Sequence, residues 1–173
     1  FFGEKLQKYP RLTTLLKSYE AGYTRKTASV FSKEEILDFL TKAPNEGEFI
    51  HIKAGIVIAF CGGLRCADLV TLMCEDCEFN ELTGMWISYS VSKQKGQTVK
   101  NKFNVPLEYC SYLEKYDDVL TQSNAGKGRL FKTFRKSKDG SGYYINQPMG
   151  IHLLAKFSVK MAEFLGLDNP SSY

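Results

Sequence analysis

The apolar stretch at residues 49–61 constrains the fold of this chain more than any other feature. It is apolar nearly all round, which is typical of a helix that lies inside a core. Gly62 and Gly63 follow it, and glycine allows the sharp turn with which many helices end. We therefore expect a central buried helix around which the other elements pack.

Arg65 stands directly after this turn, in the sequence GGLRCADLV, and Asp68 follows one helical turn later. Residues 65–73 predict a short helix. The residues that this helix would turn inward are Cys66, Leu69, Val70 and Met73. Two interpretations of Arg65 remain open. A structural arginine would lie buried against Asp68 with no basic surface around it, in a generic helical interaction domain. The alternative is a positive charge held ready for an anion.

The hydrophobic pattern then changes from a period of 3.6 residues to a period of 2. Residues 85–93 and 102–107 both alternate, and a polar stretch with a glycine joins them. This pattern predicts an antiparallel hairpin, with a third short strand at residues 77–79. The fold class is therefore expected to be α+β, mainly helical, with a small three-stranded antiparallel sheet.

Helices are predicted before and after this sheet in the sequence. Ser32 and Glu35 have the spacing of a capping box, which marks the start of a helix whose inward residues are Ile36, Phe39 and Leu40. Other helices are expected after Pro10, over residues 107–121 and over residues 150–167. Residues 123–150 are basic and rich in glycine, with one short strand expected at residues 129–134.

The length of 173 residues fits one domain with a short arm. We divide the chain into residues 1–30, an N-terminal helix with a basic linker or arm, and residues 31–173, the main domain. The first residue is not Met, so we expect a fragment of a longer protein. No apolar run approaches the ~20 residues that span a bilayer, and no signal peptide is recognisable, so we expect no membrane partner.

The five cysteines are an odd number, which favours buried free thiols in a reducing compartment. Cys74 and Cys77 form a single CxxC, and a structural zinc site would need two more ligands. No second CxxC exists, and both histidines lie far away in the sequence. We therefore expect no metal.

Positive charge is concentrated in one segment of the chain. Residues 91–138 contain eleven Lys and Arg against four Asp and Glu, a balance of +7, whereas the whole chain carries +4. The remaining residues therefore sum to −3. Such a concentration is typical of a surface that binds a polyanion, although a solvated loop face would give the same count.

The order of these elements resembles that in the catalytic domain of tyrosine recombinases, the phage integrase family. The order is a buried helix, Gly-Gly-Leu-Arg, a short helix, a lysine-bearing hairpin, a helix, a basic loop and a long helix. The likeness is to the relatives found in Crypton-type eukaryotic mobile elements and in proteins domesticated from them. It rests on the sequences GGLRCADLVTLMCEDCEF, WISYSVSKQKGQTVKNKFNVP and FLGLDNPSSY, and covers about residues 31–173.

The resemblance implies roles for particular residues. Arg65 matches the arginine that contacts the scissile phosphate and stabilises the charge of the transition state, and Asp68 matches the acid that braces it. Lys93 matches the hairpin lysine that protonates the leaving 5′ oxygen, with Lys95 as the alternative because hairpin register is hard to fix from sequence. The expected DNA-contacting residues are Arg65, Lys93, Lys95, Lys100, Lys127, Arg129, Lys132, Arg135 and Lys136.

The His-x-x-Arg motif of the family is absent, since His152 is followed by Leu-Leu-Ala. In the Crypton-like relatives a segment like LGLDNPSSY immediately precedes that motif, and the tyrosine nucleophile lies further on. We therefore expect this fragment to bind double-stranded DNA in a nuclear protein without catalysing strand transfer by itself, and without a cofactor. The alternative is a domesticated, inactive domain that serves a nuclear regulator as a DNA-binding, protein-interaction or dimerisation module.

Overall fold

The structure is a computed structural model that describes residues 10–20, 29–92, 98–138 and 142–172. Its α-helices are α1 (Pro10–Glu20), α2 (Lys33–Lys42), α3 (Glu48–Gly62), α4 (Cys66–Leu69), α5 (Leu107–Gln122), α6 (Ile151–Leu154) and α7 (Lys156–Leu165). Its strands are β1 (Cys77–Asn80), β2 (Gly84–Ser92), β3 (Thr98–Val105), β4 (Lys132–Lys136) and β5 (Gly142–Pro148). Short 3₁₀ helices cover Cys74–Asp76 and Pro170–Ser172. The fold is α+β and mainly helical, as predicted.

The predicted three-stranded antiparallel sheet is present, in the order β1-β2-β3. Strands β2 and β3 pair from Met85 opposite Val105 to Ser92 opposite Thr98. Ile87 and Val105 are fully buried beneath the sheet. The alternation of residue types therefore predicted the hairpin and placed β2 within one residue, but β3 covers Thr98–Val105 and not residues 102–107.

Helix α3 is the centre of the core, as its sequence predicts. Ile52, Ala54, Val57 and Ile58 are fully buried in it. Gly55 allows a neighbouring side chain to approach closely, since a Cβ on Gly55 would lie 2.5 Å from the ring of Phe157. The helix ends at a C-cap glycine, Gly63, in the left-handed conformation with φ +60°.

The basic stretch contains a second hairpin instead of the single strand expected at residues 129–134. Strand β4 begins at Lys132 and pairs antiparallel with β5, a strand that the sequence analysis did not foresee. Phe134 of β4 and Tyr144 of β5 pack against each other and against His51 of α3. The hairpin is stabilised by burial of these aromatic rings on the central helix.

Two helices are shorter than expected. The helix predicted over residues 65–73 ends at Leu69, because Met73 leaves the helical path to form an antiparallel bridge with Arg129. The final helix is divided into α6 and α7, which meet at Ala155.

The N-terminal helix is confirmed as α1, with Leu12 and Leu15 exposed. Most of the basic linker that is expected after this helix lies outside the described residues. No helix in the described part of the chain is long and apolar enough to cross a membrane.

Candidate functional site

Arg65 occupies the N-cap position of α4, and its side chain is exposed. Its backbone N–H donates a hydrogen bond to the Asp68 carboxylate over 3.0 Å. None of the ion pairs between described residues includes the Arg65 guanidinium. Asp68 therefore holds the backbone of Arg65 and leaves the charged group open, which disagrees with the interpretation of a buried structural arginine.

The backbone around Arg65 is fixed by its neighbours. Leu64 and Leu69 are buried on either side of it, and the Arg65 carbonyl accepts hydrogen bonds from the N–H groups of Asp68 and Leu69. Just before the turn, the ring of Phe103 from β3 covers Gly62. The result is an exposed cation on a backbone that packing and hydrogen bonds hold in place, which is the arrangement that anion recognition needs.

The basic loop that precedes β4 is joined to the segment after α4. The N–H of Cys74 donates to the Gly128 carbonyl over 2.8 Å, and the N–H of Leu130 donates to the Leu72 carbonyl over 2.8 Å. These bonds place the exposed side chains of Lys127 and Arg129 beside the segment that follows the Arg65 helix.

Lys132 is positioned differently from the other expected DNA contacts. Its side chain is buried, and its ammonium group donates to the Lys127 carbonyl over 2.5 Å and to the Asn146 side chain over 2.7 Å. The buried ammonium group therefore stabilises the loop through these hydrogen bonds and is not available to contact a phosphate. The nearby aromatic residues Phe131 and Phe134 are a sequence signal for burial that a count of charges does not take into account.

The remaining expected cations differ in their surroundings. Lys100 and Arg135 are exposed on β3 and β4, whereas Lys136 forms an ion pair with Glu48 over 3.0 Å. Lys93 and Lys95, the two candidates for the hairpin lysine, lie outside the described residues.

The thiols are free throughout the described residues. Burial and nearby negative groups raise the pKa of Cys77 to about 12, and burial raises that of Cys74. Both thiols are therefore protonated at neutral pH. No group of three or more His, Cys, Asp or Glu side chains in the described ranges is arranged to hold a metal ion.

A cavity of about 670 Å³, for which the sequence carries no recognisable signal, lies between α5, the β1 region and the basic loop. Its apolar walls include Phe79, Leu113 and Leu130. The exposed carboxylates of Glu75, Glu114 and Asp117 also line it, together with the exposed side chain of Lys127. A cavity of this kind suits an apolar group that carries positive charge.

Neither a protein-family model nor a curated protein matches this chain.

Proposed function

We propose that this chain is the DNA-binding part of a tyrosine-recombinase-like protein and that Arg65 contacts a backbone phosphate. The observation that supports this most is the exposed Arg65 guanidinium on a fixed backbone, with no carboxylate partner among the described residues. A guanidinium can bind a phosphate through two parallel hydrogen bonds and keeps its charge at any working pH.

The surrounding charge supports the same proposal. Lys127 and Arg129 are exposed on the loop that hydrogen-bonds to the segment after α4. Lys100 and Arg135 add further exposed cations without an ion pair to any described residue. Contacts from several cations to phosphates give affinity without sequence preference. The parent protein would act in the nucleus. Because no His-x-x-Arg motif is present in this chain, we expect binding without strand transfer.

Fluorescence anisotropy with a labelled DNA duplex over a range of salt concentrations tests the proposal. We expect Arg65→Ala to weaken binding by about tenfold at low salt, because one charge-assisted contact is lost. The slope of log affinity against log salt should fall by about 0.9. Arg65→Lys should retain the slope and part of the affinity, since it keeps the charge and loses the two-bond geometry.

Lys33→Ala is the matched control. It removes one exposed positive charge at the start of α2 and should change neither the affinity nor the salt slope. If Arg65→Ala and Lys33→Ala behave alike, Arg65 has no special contact with DNA. If the wild-type chain does not bind duplex DNA even at low salt, the proposal is wrong.

A domesticated protein-interaction module is the second candidate, and the cavity of about 670 Å³ favours it. The three carboxylates in the lining of this cavity repel phosphate but attract a Lys or Arg next to an apolar side chain. Leu82, which is 88% exposed in the turn after β1, is a further apolar side chain on the surface. This candidate predicts a partner segment with alternating apolar and basic residues, or a dimer in sedimentation, in the absence of DNA affinity.

A further inference from the structure

A second cavity, of about 370 Å³, lies where the start of α3 meets β4, α6 and α7. Three lysines line it, Lys136, Lys156 and Lys160, against one carboxylate, Glu48. These residues come from three separate elements, so the concentration of positive charge results from the fold and is not visible as a run in the sequence.

Glu48 neutralises only part of this charge. It accepts a hydrogen bond from Lys136 over 3.0 Å and another from Lys160. Partial burial acts to raise the pKa of Glu48, but its hydrogen bonds with Lys160 and Lys136 outweigh burial, so the pKa lies below its ordinary value. Three ammonium groups against one carboxylate leave a balance of +2. Lys156 is exposed and has no ion pair with any described residue.

The positive end of helix α3 adds to this field. Glu48 is the first residue of this 15-residue helix, and Gly47 at the N-cap position has no side chain to cap the N–H groups of the first turn, of which that of Phe49 donates to the Glu46 carbonyl. The aligned peptide dipoles of a helix favour a negative charge at this end. The helix terminus and the lysines therefore both favour the binding of a negative charge in this cavity.

His51 supplies a polar group of a different kind to the cavity lining. Its side chain is 5% exposed, and Nδ1 lies 2.9 Å from the Tyr144 hydroxyl. That hydroxyl donates its single proton to the Gly47 carbonyl over 3.1 Å. The hydroxyl must then accept from His51, which places the imidazole proton on Nδ1 and leaves Nε2 unprotonated.

The histidine is neutral in the absence of an anion. Burial, and after it the charge of Lys160, lowers the pKa of His51 to about 3. Apart from Thr133, the rest of the lining is apolar and includes Phe134, Leu153 and Phe157. The cavity thus combines ammonium groups with apolar and aromatic side chains.

We propose that this cavity binds an organic phosphate, with the phosphate group beside Lys156 and Lys160 and the attached ring or chain against Phe134 and Leu153. A phosphate can satisfy several ammonium donors at once, whereas the apolar lining favours an attached organic group over a bare ion. The phosphate can belong to a free nucleotide or to a nucleic acid. The proposal does not depend on Arg65.

Nuclear magnetic resonance of the two histidine rings tests the site directly. Adenosine monophosphate should shift the His51 ring resonances in a saturable way, because an anion placed near the ring changes its electrostatic surroundings. His152 is exposed and outside the cavity lining, so it serves as the internal reference. Inorganic phosphate should bind more weakly than the nucleotide.

Two variants of the wild-type chain make the test specific. Lys156→Glu reverses an exposed charge and should weaken nucleotide binding by about tenfold or more. Leu153→Trp fills the apolar part of the cavity and should abolish binding. Lys33→Glu changes the net charge by the same amount as Lys156→Glu at a residue outside the lining, and should bind the nucleotide like the wild type.

Duplex DNA in place of the nucleotide separates the two sources of phosphate. If DNA shifts His51 and competes with the nucleotide, the phosphate is that of a nucleic acid; if the nucleotide alone shifts His51, it is a free nucleotide. Arg65→Ala should leave the nucleotide titration unchanged, so the outcome for this cavity is independent of the outcome for Arg65. An unchanged His51 spectrum, or equal affinity in the wild type and Lys156→Glu, would overturn the proposal.

Discussion

Two lysines in the described residues are inside the protein, and they are satisfied in the same way. Lys53 donates to the Ala43 carbonyl over 2.6 Å and to Asn45 over 2.8 Å, and Lys132 makes the equivalent pair of bonds to a carbonyl and an asparagine. Each ammonium group fixes a loop to the element that carries it. A charge count cannot separate such lysines from exposed ones, since the difference depends on partners that are distant in sequence.

His51 should make stability depend on pH in a specific window. Its pKa falls from 6.5 to about 3 in the folded protein, so between these values the unfolded chain binds more protons and the folded state loses stability as pH falls. We expect His51→Gln to make the free energy of unfolding less dependent on pH between pH 6.5 and 5, by about 1 kcal/mol per pH unit. Denaturant unfolding at several pH values measures this.

Between pH 6.5 and 5 the Glu48 carboxyl does not contribute to the pH dependence of stability. The pKa of that carboxyl is lowered from 4.5, so its contribution to stability is present above 4.5 and is lost only as the pH falls through the lower folded value. His152→Gln, a change on an exposed side chain, is the control and should keep the wild-type slope. Equal slopes for His51→Gln and the wild type would show that His51 is not held neutral by the fold.

At the scale of elements, the contact between α3 and β3 depends on Gly62. A Cβ at this position would lie 2.6 Å from the Phe103 ring, closer than carbon atoms can approach without displacement. Gly62→Ala should therefore destabilise the protein by about 1–3 kcal/mol, as other overpacking substitutions do. Thermal or denaturant unfolding of the purified chain gives this value.

A second substitution shows whether the ring is the cause. In a chain that already carries Phe103→Leu, Gly62→Ala should lower the free energy of unfolding by much less than it does in the wild type, because the smaller side chain leaves space for the new methyl group. If the two substitutions are simply additive, the cost of Gly62→Ala arises from the backbone and not from contact with Phe103.

The elements that the sequence predicts well are those with local causes. The capping box of α2 is confirmed, with Ser32 and Glu35 each bonded to the backbone of the other. The β2–β3 hairpin follows from alternation alone. In contrast, β5 carries polar and aromatic residues without clear alternation, and it becomes a strand because Tyr144 packs on α3.

The candidate site was only partly predictable for a similar reason. The positions of Arg65 and Asp68 could be read from their spacing, but the direction of the guanidinium could not, because it depends on Asp68 bonding the backbone. Both cavities gather residues from elements that are distant in sequence, as Glu48 and Lys160 show. Such sites become visible only when the tertiary contacts are known.

At the scale of the whole molecule, a net charge of +4 conceals neighbouring groups of opposite charge. Exposed cations at Lys127 and Arg129 lie on the basic loop, and Glu75 and Glu114 line the cavity of about 670 Å³ that Lys127 also lines. If DNA binds to a local surface of the protein, its affinity depends more on the position of a charge than on the net charge. If DNA affinity depends only on the electrostatic field of the whole protein, equal changes in net charge change the affinity equally.

Two double variants separate these cases. Lys127→Gln with Arg129→Gln lowers the net charge from +4 to +2, and Glu75→Gln with Glu114→Gln raises it to +6. We expect the first pair to reduce the salt slope of duplex binding by about 1.8, because two phosphate contacts are lost, and the second pair to change it little. Anisotropy titrations at matched salt measure both. Changes of equal size and opposite sign would show that net charge, and not the loop beside the Arg65 helix, determines DNA affinity.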